Sequence, residues 1–178
     1  EGLTLWASLG PKCWMTASPE DLFAYLDALG IAHHTHWHDA VFTVDEGRDL
    51  KAAMPGIHTK NLFLKDKDAT FVLISAEAQT RIALNQLHRD IGTKRLSFAS
   101  PVDMLALLGV TPGSVTAFAL MNDTACKVRF IADAALFTAD PVNFHPLTNT
   151  GTTAMSRGDF RHFVESTGHS CEVYDFSA

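Results

Sequence analysis

Apolar positions along this chain recur at two different spacings, and the switch between them marks the elements. Ser18 is placed to cap a helix with Pro19 at its first position and Asp21 reaching back. Leu22, Leu26 and Leu29 then share one face until Gly30 stops the run. Residues 31–36 and 41–42 read as extended. Thr43 with Glu46 three positions on predicts a short helix over 44–53, ended by Pro55 and Gly56. Residues 61–65 and 70–75 flank Asp66-Lys67-Asp68, a reverse-turn composition, and predict a β-hairpin. Helical spacing returns at 81–91 through Ile82, Leu84, Leu87 and Ile91. It returns again at 100–108, where Asp103 faces Ser100 and Gly109 is the stop. Residues 115–120 and 127–132 around Asn122-Asp123 predict a second hairpin. A short strand at 152–155, a helix from Ser156 with Asp159 to Thr167 and a closing strand at 171–176 complete the series. Hairpins interspersed with helices predict an α+β fold, a mixed and mainly antiparallel sheet covered by helices.

Length and composition fit one ordinary domain with a substantial core: 178 residues, 47% hydrophobic and 19% charged. Residues 1–14 read as an N-terminal extension and 15–178 as the domain, because Met15-Thr16-Ala17-Ser18-Pro19 resembles a start just ahead of a helix. The apolar runs at 71–74 and 115–121 are far shorter than the roughly 20 residues that span a membrane. Cys13, Cys126 and Cys171 are widely spaced, which fits neither a disulfide framework nor a Cys-x-x-Cys metal site; a cytoplasmic location is expected. The formal charge of −6 argues against a protein that is basic overall. Basic residues nevertheless gather locally, at Lys60, Lys65 and Lys67 and then at Arg81, His88, Arg89, Lys94 and Arg95. Converging in space, they would hold one nucleic-acid end.

Several chemistries lack their signatures. Neither G-x-G-x-x-G nor G-x-x-x-x-G-K-[ST] occurs, and there is no G-x-S-x-G elbow around a serine nucleophile. His33, His34, His36 and His38 invite a metal reading, since alternate residues of a strand share a face, but no acid or cysteine completes a known ligand spacing. Structural histidines are the expectation there, with no metal or other cofactor.

Three separated segments carry the remaining polar groups and glycines between apolar runs: His58-Thr59-Lys60-Asn61-Leu62-Phe63, Gly109-Val110-Thr111-Pro112-Gly113-Ser114-Val115-Thr116 and Asn143-Phe144-His145-Pro146-Leu147-Thr148-Asn149. That arrangement suggests a pocket wall. Lys60 can bring an ammonium to such a pocket while its stem packs on apolar neighbours, and would favour negative charge developing in ester hydrolysis. Gly113 and Ser114 can present backbone N–H groups to a substrate oxygen. His145 is held extended by Pro146, and Asn149 can bond a ligand amine or close a turn. Each also has a structural reading: a surface lysine, a plain turn, a histidine satisfied in the domain wall.

In this order the three segments resemble the YbaK/ProX family of aminoacyl-tRNA editing domains, and most resemble its free-standing prolyl-tRNA editing members. The resemblance runs from about Ser18 to the closing strand. It implies a barrel-like single domain and a metal-free hydrolase that deacylates mischarged tRNA(Pro) in trans, with Ala-tRNA(Pro) as the first candidate substrate. It assigns the essential lysine to Lys60 and substrate contacts to Asn61, Gly109, Pro112, Gly113, Ser114, His145 and Asn149. It also implies that a tRNA ribose hydroxyl assists the attacking water. The partners implied are the acceptor end of a mischarged tRNA and, beyond it, prolyl-tRNA synthetase or the elongation machinery, with no membrane. One departure stands out: Ala119 occupies a position where many relatives carry glycine, which leaves substrate size open. Cysteine- or serine-charged tRNA and a non-catalytic tRNA- or synthetase-binding module remain alternatives.

Overall fold

The computed structural model describes residues 16–40, 49 and 52–177. Its first helix, α1 (Pro19–Ala28), is closed by the capping box that its sequence announces: the Ser18 hydroxyl accepts the Asp21 N–H, and the Asp21 carboxylate accepts the Ser18 N–H at 2.9 Å. Leu22 and Leu26 go into the core. Then come β1 (His33–Trp37), β2 (Ile57–Lys65), β3 (Phe71–Glu77), α2 (Leu84–Asp90), β4 (Ser97–Phe98) and α3 (Pro101–Leu108). A 3-10 helix (Ala117–Asn122), β5 (Val128–Asp133), a second 3-10 turn (Ala134–Phe137), β6 (Val142–Phe144), β7 (Gly151–Met155), α4 (Arg157–Ser166) and β8 (Glu172–Tyr174) follow. The expected strand at 41–42 lies outside the described residues. So does most of the helix expected over 44–53, of which Asp49, Ala52 and Ala53 are seen to be helical.

Strand order is β1-β7-β6-β2-β3-β5-β8, with β4 added beside β2. The pairs β1/β7, β6/β7, β2/β3 and β2/β4 are antiparallel, and β2/β6, β3/β5 and β5/β8 are parallel. The α+β fold with a mixed, mainly antiparallel sheet is as the sequence predicts. So is the hairpin of β2 and β3, in which Lys60 stands opposite Ala76 and Lys65 opposite Phe71.

The second predicted hairpin is not there. Residues 117–122 form a 3-10 helix, and β5 pairs in parallel with β3 instead of folding back on its own predecessor. Ala117, Phe118, Ala119 and Leu120 are all fully buried. An apolar run covered on every side carries no alternation, so its spacing cannot separate strand from helix. Local hydrogen bonds decide it: the Thr116 hydroxyl accepts the Phe118 N–H at 3.3 Å, and Asp123 caps the following turn.

Two apolar layers sandwich the sheet. The larger joins Phe63, Leu73, Val142, Phe144 and Met155 to α1, α3, the first 3-10 helix and α4, with Phe144 and Phe160 stacked at 4.5 Å. The smaller packs Leu64, Val72, Ile74, Ala76 and Ile131 under Leu87 and Ile91 of α2 and Leu96. No described helix is long and apolar enough to cross a membrane.

Candidate functional site

The first half of β2 is where the sheet turns from apolar to polar. His58 lies beside Asn143 of β6 in parallel register, and Asn143 stands opposite Ala154 of β7. Because side chains alternate along a strand, His58 and Lys60 share the face of Leu62 and Leu64, while Thr59, Asn61 and Phe63 take the other. The smaller apolar layer covers that first face only from Leu62 onward. Lys60, His58 and Asn143 are thus left beside it as a polar continuation.

Each group there is held by bonds that can be named. The half-buried Lys60 donates from Nζ to the Thr80 carbonyl, in the loop after β3. An ammonium has three N–H groups, so two remain for another acceptor. The Thr59 hydroxyl donates to the Asn143 carbonyl at 2.7 Å, and the Asn143 amide donates to the carbonyls of Pro55 and Ile57 at 3.1 and 3.2 Å, which pins β2 to β6. Asn143 is 2% exposed, and its Oδ1 has no hydrogen-bond partner among the described residues. A buried acceptor left unpaired costs about 1–3 kcal/mol, so such an atom suits a ligand donor. Gly56 ends the approach to β2 at φ +102°, where a Cβ would lie 2.2 Å from the Pro141 carbonyl oxygen; only glycine fits there.

His145 follows β6 directly. Its Nδ1 donates to the Gly151 carbonyl at 3.1 Å, which fixes the tautomer and leaves Nε2 with a lone pair. Burial pushes its pKa below the ordinary 6.5 against the opposing effect of that hydrogen bond, and the neighbouring His38 and His58 add to the lowering. Three imidazoles therefore converge here. Of these, His38 bonds the Thr152 hydroxyl at 3.0 Å and the Asp39 carbonyl at 2.7 Å, while His58 donates from Nε2 to the Met54 carbonyl. The other histidines of the 33–38 run are divided: His33 stacks on Phe23 and bonds Asp27, and His36 stacks on His38. Among the described residues no group of three His, Cys, Asp or Glu is arranged to hold a metal ion.

A lowered histidine pKa has a stability consequence with a definite sign. The unfolded chain binds a proton at His145 near pH 6.5 while the folded chain resists it, so the folded state loses ground as pH falls through that value. We expect the melting temperature to drop between pH 7.5 and pH 5.5, and His145→Gln to flatten that part of the profile. Asp66 and Asp103 do not confuse the reading. The Thr70 N–H on Asp66 and the Lys65 ammonium on Asp103 hold both carboxyls below their usual value, so their contributions are lost only at more acid pH.

The glycine-rich segment contributes less directly than the sequence suggests. Pro112 and Gly113 are the central residues of a tight turn, with Gly113 at φ +90° and the Ser114 N–H donating to the Thr111 carbonyl at 3.0 Å, the type II pattern. The Ser114 N–H is therefore spent inside the turn, and Ser114 itself is buried. A Cβ on Gly113 would approach Asn149 Nδ2 at 3.8 Å, so this turn and the loop after His145 do meet. Gly109 serves the fold. It ends α3 in the left-handed conformation at φ +63°, where a Cβ would lie 2.8 Å from the side-chain nitrogen of Asn122, which in turn donates to the Leu108 carbonyl. Asn61 accepts the Ser75 hydroxyl at 2.5 Å on the face opposite Lys60. His58, Thr80 and Asn143 were not singled out from the sequence. Asn143 had a signal: it is a polar residue between two core positions of a three-residue strand, two residues ahead of His145.

A profile of the aminoacyl-tRNA editing domain matches residues 38–163, most of the chain. The chain belongs to that family. It is 37% identical over 156 residues to the human putative prolyl-tRNA synthetase associated domain-containing protein 1, covering 85% of this chain and 92% of that one. To the prolyl-tRNA editing protein ProX of Acetoanaerobium sticklandii it is 32% identical over 155 residues, covering 86% and 94%. Among solved structures, a putative trans-editing enzyme for prolyl-tRNA synthetase superposes with a TM-score of 0.70 at 16% identity, over 91% of this chain and 98% of that one. Hypothetical protein APE2540 gives 0.67 at 19% identity, over 86% and 97%. At these identities the structures speak for the fold.

Proposed function

We propose that this editing domain is a trans-acting deacylase of mischarged tRNA(Pro), with Ala-tRNA(Pro) as its first substrate. The observation that supports the reading is the buried Asn143 Oδ1 left unpaired beside His58 on the β2/β6 face, in a chain of this family whose β2 also carries Lys60 and whose β6 leads into His145. A proline-specific synthetase pocket cannot reject alanine strongly, since missing methylenes are worth about 1–3 kcal/mol, and a second site that admits only the smaller residue supplies the rest.

In this mechanism the two free N–H groups of Lys60 bind the ester carbonyl and stabilise its negative charge as water attacks. Asn143 Oδ1 and His145 Nε2 are acceptors without protons of their own, suited to the amino acid's ammonium and to a ribose hydroxyl. That hydroxyl, belonging to the tRNA, orients the water, so the reaction needs no nucleophile from the protein. Gly113 and Asn149 close the far side of the site. Prolyl-tRNA synthetase is the natural source of the substrate.

Deacylation assays with alanyl-, cysteinyl- and seryl-tRNA test the assignment. Faster release of alanine from tRNA(Pro) than of either competitor is expected. Preference for cysteine or serine would move the substrate, and no turnover of any of them alongside measurable tRNA binding would replace the enzyme by a binding module.

A further inference from the structure

The carbonyl that holds His145 is available to it because of how two strand ladders meet at Gly151. Trp37 of β1 stands opposite Gly151 of β7, and the next pair along is joined by the His38 N–H donating to the Thr150 carbonyl at 3.0 Å. Hydrogen-bonded and non-hydrogen-bonded pairs alternate in an antiparallel ladder, so Trp37 and Gly151 form a non-hydrogen-bonded pair. The Gly151 carbonyl therefore points away from β1. It faces the β6 side, where the register carried two residues beyond Phe144 and Thr153 sets Pro146 opposite Gly151. A regular ladder would bring that carbonyl an N–H from residue 146, and proline has none. The Nδ1–H of His145 bonds it instead, at 3.1 Å.

Two rings clamp this point of the strand. Gly151 is buried and does not have the positive φ that calls for glycine, so backbone conformation is not what selects it. Space is the reason. A Cβ there would lie 3.0 Å from Trp37 Cε3 and 3.1 Å from Pro146 Cγ, closer than the 3.5–4.0 Å at which carbon atoms pack best. Side chains approach most closely across a non-hydrogen-bonded pair, and the bare glycine lets the indole close over the strand against the buried Pro146. Trp37 is 52% exposed, which leaves little of its role to burial. Phe23 of α1 nevertheless meets it edge-on at 6.1 Å, and Phe23 is itself stacked on His33 at 5.3 Å. The brace thus runs from α1 through Trp37 to the loop of His145.

We propose that Trp37 and Gly151 are positioning residues: by holding the Gly151 carbonyl against Nδ1 they keep His145 in the tautomer whose Nε2 lone pair is offered to substrate. The use of that lone pair rests on the deacylase reading; the clamp and the tautomer do not. An imidazole without a fixed partner exchanges its proton between both nitrogens. In the other tautomer Nε2 would carry an N–H, a donor where the site needs an acceptor. His38 and His58 are the titratable groups that bear on His145, and neither is a carboxylate that could choose the tautomer in place of Gly151.

Nitrogen–proton correlation spectra of the imidazole rings at pH 7.5 read the tautomer directly, whether or not the chain hydrolyses anything. In the parent chain His145, assigned by its loss in His145→Gln, should show one form with the proton on Nδ1. Gly151→Ala drives a methyl between the rings and Trp37→Ala removes one of them, so each should give a mixture of both tautomers. Trp37→Phe keeps a ring over the strand and should restore the single form. The His169 signal, fixed between Asp123 and Thr167, should stay unchanged in all three. A misplacement of about 1 Å costs about 10²-fold in rate, so a shift of a few tenths should lower kcat/KM for Ala-tRNA(Pro) on the order of three- to tenfold in the two disruptive variants. Trp37→Phe should recover it. A single Nδ1–H form in both Gly151→Ala and Trp37→Ala, with the chains folded by thermal melt, would overturn the clamp. Mixed tautomers with kcat/KM unchanged would leave the clamp standing and count against the use of His145 in the deacylase reading.

Discussion

Replacing Lys60 with alanine is expected to cut deacylation of Ala-tRNA(Pro) by about 10²–10³-fold or more while the melting temperature stays close to that of the parent chain. The size follows from what a preorganised charge does for a developing oxyanion: removal of one such donor costs about 2.7–4 kcal/mol of transition-state stabilisation. The small structural effect follows from the bonding. Lys60 makes one described hydrogen bond, to the Thr80 carbonyl, in a half-buried position at the margin of the smaller apolar layer. Water can take over the freed carbonyl. Lys60→Arg keeps the charge but replaces a compact ammonium with a planar fork, so it should recover little activity if carbonyl placement matters. Lys60→Ala retaining full turnover in single-turnover kinetics would remove Lys60 from the mechanism.

Much of the fold was legible because its signals are local. Ser18 with Asp21 and Ser100 with Asp103 each close a capping box, Gly109 ends α3 in the left-handed region, and Asp66-Lys67-Asp68 turns the hairpin. Residues 117–122 were illegible because complete burial erases the alternation that would have told strand from helix. The parallel pairing of β5 with β3 depends on packing between distant segments, which no local pattern records.

The candidate site shows the same division. The Thr59-Lys60-Asn61 and His145-Pro146 segments stood out by residue type, and the meeting of Gly113 with Asn149 brings two of the three expected segments together. Sequence alone did not show that the Ser114 N–H closes its own turn, that Asn61 faces away from Lys60, or that Asn143 keeps an unpaired oxygen in the interior. All three are consequences of register and hydrogen-bond saturation.

The largest loss of stability is expected at Asp123, a residue with no part in the proposed chemistry. Its carboxylate accepts the N–H groups of Lys127 and Val128 at 3.0 and 2.7 Å and His169 Nε2 at 3.0 Å, with the two side chains of the pair only 3% and 2% exposed. It thereby ties the turn before β5 to the segment between α4 and β8, and His169 carries the tie on to the Thr167 hydroxyl. Asp123→Ala strands two buried donors, the Val128 N–H and His169 Nε2, and frees the more exposed Lys127 N–H. Each buried donor left unpaired costs about 1–3 kcal/mol, and at about 2–4 °C per kcal/mol for a chain of this size the melting temperature should fall by roughly 10 °C. His169→Ala should cost less, since Asp123 keeps both backbone donors. The double variant should then cost less than the sum of the two single losses, because the pair interacts directly. Thermal melts of the three variants at pH 7.5 measure this, and strictly additive losses would show that the carboxylate acts through its backbone bonds alone. Every described bond of the pair lies at the turn before β5 and the segment after α4, and none reaches Lys60, Asn143 or His145. Loss of the pair should therefore lower activity only as far as it lowers the folded fraction.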